Sequence, residues 1–194
     1  MAARAWDSLS NAAKCGPFKT LTEAMQKGVT FLPIEPLTAD AFRAFGDVIA
    51  AGNSAQQFLI NQGFATRHHD LAQVDVARDG GRVGLSVFRA LPRAMPMRLS
   101  AMERHPLGSQ AFVAMSELPF LVVVAPPTEQ LQLQQIRCFL AAPGQGVNYA
   151  AGTWHHPLIA LERTSDFLVI DRCAGNGNNL DEVDVTAAEI WLRA

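Results

Sequence analysis

The sequence predicts a mainly β protein, a β-barrel or double-stranded jelly roll with a few short helices. Three observations lead there. The chain divides into about ten strand-sized segments at roughly ten-residue spacing, separated by glycine, proline and polar turns. Between them lie no helical stretches long enough to bridge parallel strands, as a βαβ sheet would require. The run from Pro119 to Ala125 is apolar at every position and stops at Pro126-Pro127, as a strand buried on both faces would.

The elements follow in order. Residues 1–28 read as an N-terminal extension. Gly16-Pro17 breaks it, and Leu21–Lys27 can form a helical turn or two. Residues 29–194 read as one domain. Val29–Ile34 is a first strand, which Pro33 pushes to a sheet edge. Thr38 caps a short helix, Ala39–Phe45, with Ala41, Phe42 and Phe45 on one face. Gly46 ends it, and Asp47–Ala50 is a strand. Gln57–Asn61 and Arg67–Val76 come next, the latter running into Asp79-Gly80-Gly81, a hairpin signal. Arg82–Arg89 alternates, with Val83, Leu85 and Val87 on one face and Gly84, Ser86 and Phe88 on the other. Further strands are expected at Met97–Arg104, Gln110–Met115, Gln134–Ala141, Asn148–Ala151, His156–Leu161 and Ser165–Asp171. Val185–Ala194 closes the chain as a short helix or strand.

Composition narrows the function classes. A chain of 194 residues, 49% hydrophobic and 18% charged, is globular and long enough to bury its own core. The net charge of −2, with both signs scattered, offers no basic stripe for nucleic acid. No apolar run approaches the ~20 residues of a membrane span. Met1–Ser10 is no secretory signal. Cys15, Cys138 and Cys173 are odd in number and widely spaced, which points to thiols in a reducing cytosol. His-Glu-x-x-His, Gly-x-Ser-x-Gly, P-loop, Cys-x-x-Cys and dinucleotide motifs are all missing, so no nucleotide or organic cofactor is expected.

What remains are groupings of histidine, carboxylate and arginine. Arg67-His68-His69-Asp70 is one, and in a strand it would present Arg67 and His69 on one face. Glu103-x-His105, with Gln110 on the next strand, is a second. Gly152-x-x-His155-His156 is the third. If that segment is extended, His155 and His156 point to opposite faces, and His155 is the one expected to face a substrate.

The last two groupings resemble the cupin barrels, whose ligand positions fall on Glu103, His105, Gln110 and His155. Glutamate stands here where those barrels carry a first histidine, and glutamine where they carry glutamate. The resemblance implies a divalent ion, Ni²⁺, Mn²⁺ or Zn²⁺, at His105, Gln110 and His155. A polar interior of hydrogen-bonded histidines is the alternative. The local wording is more specific. Glu103-Arg-His-Pro-Leu-Gly-Ser-Gln-Ala-Phe112, Gly146-Val-Asn-Tyr149 and Trp154-His-His-Pro157 resemble the ureidoglycolate lyase family. So do Phe45-Gly-Asp-Val-Ile49, Arg67-His-His-Asp-Leu71, Phe120-Leu-Val-Val-Val124, Arg137-Cys-Phe139 and Asp166-Phe-Leu-Val-Ile-Asp-Arg172. The resemblance spans about residues 30–185 and implies a cytoplasmic, cupin-like homodimer. It implies cleavage of (S)-ureidoglycolate to glyoxylate and urea in allantoin breakdown.

That chemistry needs a partner for a carboxylate, for which arginine is suited. It also needs groups to take a hydroxyl proton and deliver one to the departing nitrogen. The expected catalytic set is Glu103, His105, His155, His156 and His69, with Glu103 a base if burial raises its pKa. Arg67, Arg89, Gln110, Tyr149, Trp154 and Arg172 are the expected substrate contacts. Two other readings fit the same residues: an amidohydrolase releasing ammonia from ureidoglycolate, and a non-catalytic cupin that binds a small carboxylic acid.

Overall fold

The structure, a computed structural model, describes residues 28–52 and 56–193. The extension expected over residues 1–28 therefore lies, Gly28 apart, outside the described residues. The chain forms β1 (Thr30–Leu32), β2 (Ile34–Pro36), helix α1 (Ala39–Phe42), β3 (Gly46–Ala50), β4 (Gln57–Ile60) and β5 (Ala65–His68). There follow β6 (Arg82–Ala90), β7 (Met97–Arg98), β8 (Ala101–Arg104), β9 (Gln110–Ala114), β10 (Phe120–Ala125) and β11 (Arg137–Ala141). The last are β12 (Gln145–Tyr149), β13 (Trp154–His155), β14 (Ile159–Ala160), β15 (Ser165–Cys173), β16 (Asp181–Asp184) and β17 (Ile190–Leu192).

Strand order identifies the architecture. One sheet runs β3–β12–β9–β15–β6; the other runs β16–β8–β13–β10–β11–β2, with β14 also on β10. The interrupted strand β13/β14 pairs along β10 at Val124–Ala125 and Phe120–Leu121. Counted in chain order from β6 to β15, with β7 left to the small sheet and β13/β14 taken as one strand, the two sheets have the orders 1-8-3-6 and 2-7-4-5. This is the jelly roll, so the mainly β, double-sheet expectation holds.

The strand predicted to be buried on both faces explains the layering. All 6 residues of β10 are buried. Phe120, Val122 and Val124 face the other sheet and pack with Phe112, Phe139 and Phe167. The Phe120 and Phe167 rings meet edge-on at 5.1 Å. Leu121, Val123 and Ala125 face a second core with Cys138, Trp154 and Leu192. The small sheet β1–β17–β7 contributes to this second core through Leu32, Met97, Ile190 and Leu192. Each buried Val or Leu adds roughly 1.5–3 kcal/mol. The outer face of the first sheet keeps an apolar stripe in view: Val83, Leu85 and Val87 on β6 are all exposed, Leu85 at 70%.

Several elements differ from expectation. Pro33 splits the first strand into β1 and β2, because a proline cannot donate to the ladder. The helix makes a single turn, capped by Thr38 Oγ1 accepting from Ala41 N at 3.2 Å. Arg67–Val76 is not one strand. β5 stops at His68, and Asp70 turns to φ 54°. Side chains then hold the backbone in place of a partner strand: Gln73 N donates to Asp47 and Asp75 N to Ser109. The turn at Asp79-Gly80 therefore joins no hairpin. Among the described residues β5 pairs only with β4, while β6 pairs with β15. A turn at Thr186–Ala188 and strand β17 end the described chain. Among the described residues no helix is long and apolar enough to cross a membrane.

Candidate functional site

Residues opposite one another in antiparallel strands share a face. Val124, His155 and Glu103 are in register across one sheet. Val124 faces the space between the sheets, so His155 and Glu103 do too. Tyr149 and Gln110 are in register across the other sheet. Asp171 continues that row, one position beyond the pair Ile170–Ala111. The two rows face each other, with the Tyr149 and His155 rings stacked at 4.4 Å. His105, just past the end of β8, brings its ring to 5.3 Å from His155.

The histidines are held alike. His105 Nδ1 lies 2.7 Å from the Asn179 carbonyl and His155 Nδ1 2.9 Å from that of Thr153. A carbonyl only accepts, so each Nδ1 carries a proton, and in the neutral ring the lone pair is on Nε2. Both Nε2 atoms are buried and without a hydrogen bond, as is Gln110 Oε1. His155 Nε2 also stands 3.4 Å from Glu103 Oε1. Two lone-pair atoms facing each other there need a positive charge between them, either a proton on Nε2 or a bound cation. Glu103, His105 and His155 each offer an atom within 4.8 Å of the others. The donors thus fit a divalent ion: free imidazole nitrogens, each ring fixed from behind by a carbonyl, with carboxylate and amide oxygens beside them.

Electrostatics correct one expectation. Glu103 is held below the ordinary carboxylate range, not raised. Contact with the His155 imidazole outweighs the opposing effect of burial, and His105 and His156 add to it. Burial, and more weakly the Glu103 charge, raises the Tyr149 phenol. His156 is buried beyond the end of β13, its Nδ1 2.7 Å from the Pro157 carbonyl and its Nε2 unpartnered. Desolvation lowers its pKa, while the hydrogen bond to Pro157 and the Glu103 charge pull upward.

A cavity of about 270 Å³ opens beside this cluster, lined by His105, Ser109, Gln110, Asp171, Arg172 and Asn179 among others. Its wall is tied down. Asn179 receives Leu107 N–H on its side-chain oxygen at 2.8 Å, besides holding His105. Arg172 donates to the carbonyls of Ala174, Arg78 and Asn176. A larger cavity, about 440 Å³, shares Ser109 but has Asp47, Asp75 and Asn148 instead of histidines. Asp47 there accepts from Gln73 N and Asn148, and Asp75 pairs with Arg78, so its acids serve the 73–78 segment.

The structure brings together Glu103, His105, His155, Gln110 and Tyr149, with Arg172 on the cavity wall. It distributes the others. Trp154 points into the second core, its Nε1 donating to Thr128 O and its ring under Arg104. Arg89 is exposed and forks onto Asp166 at 2.8 and 2.9 Å. Arg67 and His69 belong to the β4–β5 hairpin region, Arg67 exposed on β5 and His69 against Phe58 at 5.8 Å. Asp171 and Asn179 were not singled out from the sequence. Asp171 shares the period-2 face of Phe167 and Val169, a signal that was available; Asn179 lies in a loop with no periodicity to read.

Fold and site together define a jelly-roll protein with a histidine–carboxylate centre between its sheets. The ureidoglycolate lyase family model matches residues 29–192. A Burkholderia mallei ureidoglycolate lyase is 52% identical over 161 residues, covering 83% of this chain and 92% of that protein. A Burkholderia cepacia relative of the same name is 48% identical, covering 83% and 90%, and one from Pseudomonas aeruginosa is 49% identical, covering 83% and 94%. The chain belongs to the ureidoglycolate lyase family. Among solved structures, a DMSP lyase aligns with 51% of this chain and 43% of that one at 17% identity and a TM-score of 0.33, too low to bear on function.

Proposed function

We propose that residues 29–194 form one catalytic domain that cleaves (S)-ureidoglycolate to glyoxylate and urea, with allantoin breakdown as its setting. The observation that carries the reading at the site is the pair His155 Nε2 and Glu103 Oε1, 3.4 Å apart, with no hydrogen bond on the nitrogen. That pair needs a shared positive charge, and a cation held there would in turn accept the carboxylate and hydroxyl of an α-hydroxy acid anion. His105, His155 and Gln110 are the residues that would hold a divalent ion. Bound there, it would supply charge for the substrate carboxylate and hydroxyl and lower the hydroxyl pKa.

The reaction moves one proton. The O–H bond breaks as C=O forms, and the C–N electron pair leaves with nitrogen, which is protonated to release urea. Glu103, ionised and facing the interior, takes the hydroxyl proton and returns it to the nitrogen. His156, neutral and with a free Nε2, is a second acceptor within its electrostatic reach. Tyr149, stacked on His155, closes one side of the site.

We further infer a cytoplasmic homodimer. Cys138 and Cys173 are free thiols, and the exposed apolar stripe of β6 would be covered by a second copy.

Purified enzyme should release glyoxylate and urea in equal amounts, with ammonia appearing only after urease is added. Early ammonia would favour the amidohydrolase, and saturable binding without turnover a binding module. His105→Ala and His155→Ala should each lower urea release at least ~100-fold with near-UV circular dichroism unchanged. Near-normal turnover in either variant would remove these residues from the mechanism. Chelation followed by Ni²⁺, Mn²⁺ or Zn²⁺ addition tests the ion.

A further inference from the structure

We propose that Asp171 is a positioning residue that decides which end of the Gln110 side chain faces the histidines. The inference rests on the reading of His105, His155 and Gln110 as a metal centre. Gln110 sits in the middle of a row across the first sheet, with Tyr149 opposite on β12 and Asp171 next to it on β15. Gln110 Nε2 donates to Asp171 Oδ2 at 3.4 Å. A glutamine amide has two ends of nearly the same shape, one a donor and one an acceptor. A carboxylate can only accept, so Asp171 admits only the NH₂ end. Oε1 is therefore left on the other side, buried and without a hydrogen bond. Gln110 shares a cavity wall with His105, and its row faces that of His155.

Turned the other way, Gln110 would set oxygen against the Asp171 carboxylate. It would also offer N–H groups, which cannot bind a cation, to the two Nε2 lone pairs. A glutamate here would need no orienting, since both its ends are oxygens; but it would lie beside the Asp171 charge. Glutamine at this position thus depends on Asp171, and the two act as one unit. Gly84, opposite Asp171 on β6, leaves the space this carboxylate uses: a Cβ there would come within 3.1 Å of Oδ1 and 2.2 Å of Cys173 Sγ.

The test is Mn²⁺ affinity, measured by calorimetry on the full chain, in the wild type, Asp171→Leu, and Asp171→Leu combined with Gln110→Glu. Leucine keeps the branching of the side chain and makes no hydrogen bond. The single variant should bind Mn²⁺ about 10-fold more weakly, in line with the loss of other outer partners of metal ligands. The double variant should recover most of that loss, because the carboxylate introduced by Gln110→Glu presents oxygen whichever way it turns. Should Asp171→Leu not fold, the same comparison is made with Asp171→Asn, alone and with Gln110→Glu. Unchanged affinity in the single variant overturns the proposal and leaves the metal centre standing. A loss the double variant fails to recover, in a protein with wild-type circular dichroism, means Asp171 is merely structural and also overturns it. A wild type that binds no Mn²⁺ overturns the metal centre and this proposal together.

Discussion

Asn179 touches the candidate site through two atoms, its main-chain oxygen on His105 Nδ1 and its side-chain oxygen on Leu107 N. It thus both sets the His105 tautomer and clamps the turn that carries it. Asn179→Ala would leave the Leu107 N–H without its acceptor, at a cost of about 1–3 kcal/mol. The expected outcome is a kcat lower by ~10-fold with a smaller change in KM; Asn179→Asp, which keeps an acceptor oxygen, should recover most of it. His156 supports a prediction about stability. Its folded-state pKa lies below the ordinary 6.5, chiefly because burial disfavours the charged ring. The unfolded chain then binds more protons between those two values, so the contribution is fully present above the unfolded pKa and is lost as pH falls through the folded one. Tm should therefore drop as pH falls below about 6.5, and His156→Gln should flatten that drop. An equal slope in both proteins would exclude His156 as its source.

At the scale of elements, two-residue β13 shows how much a short strand decides. Its alternation sends Trp154 into one core and His155 into the other, and its end after His155 releases His156 from the strand pattern. Read from the sequence, that alternation divides His155 from His156 and leaves Trp154 as a substrate contact; the strand instead divides Trp154 from His155. That His156 would still be buried and coupled to Glu103 was not legible, because strand ends are set by what the sheet beside them can pair. The same limit applies to Arg67–Val76: its residues read as a strand, but Asp70 and the hydrogen bonds from Gln73 and Asp75 bend it into a loop. Where β3 meets β12, Gly46 adopts φ 141°, and a Cβ would lie 1.9 Å from Asn148 O. Gly46→Ala should cost at least ~2 kcal/mol by urea denaturation, because the β3–β12 ladder must move apart.

At the scale of the whole molecule, the described residues cover one sheet on both faces and the other on one. The small sheet β1–β17–β7 backs the second core, while Val83, Leu85 and Val87 form an apolar stripe on β6 that no described residue covers. If a second copy covers it, Leu85→Glu should convert a dimer into a monomer by sedimentation while the far-UV spectrum stays the same. A dimer that persists would place the interface elsewhere. The β4–β5 hairpin is a second exposed apolar feature, with Phe64 91% exposed.

The sequence by itself determined the fold class and the pairing of Glu103 and His105 with His155. Strand alternation and turn residues are local, and a jelly roll needs only those signals in the right number. It also carried the family, through the wording around His105 and His155. Only the tertiary structure decided which polar residues meet. Arg89 turned to Asp166, Arg172 to three carbonyls, and Asp171 and Asn179 entered from strands and loops more than sixty residues away from Gln110 and His105. The direction of the Glu103 shift was likewise beyond the sequence, because it is the balance of burial against a histidine fifty-two positions on. Such balances depend on distances across the barrel, and those exist only once both sheets have closed around the site.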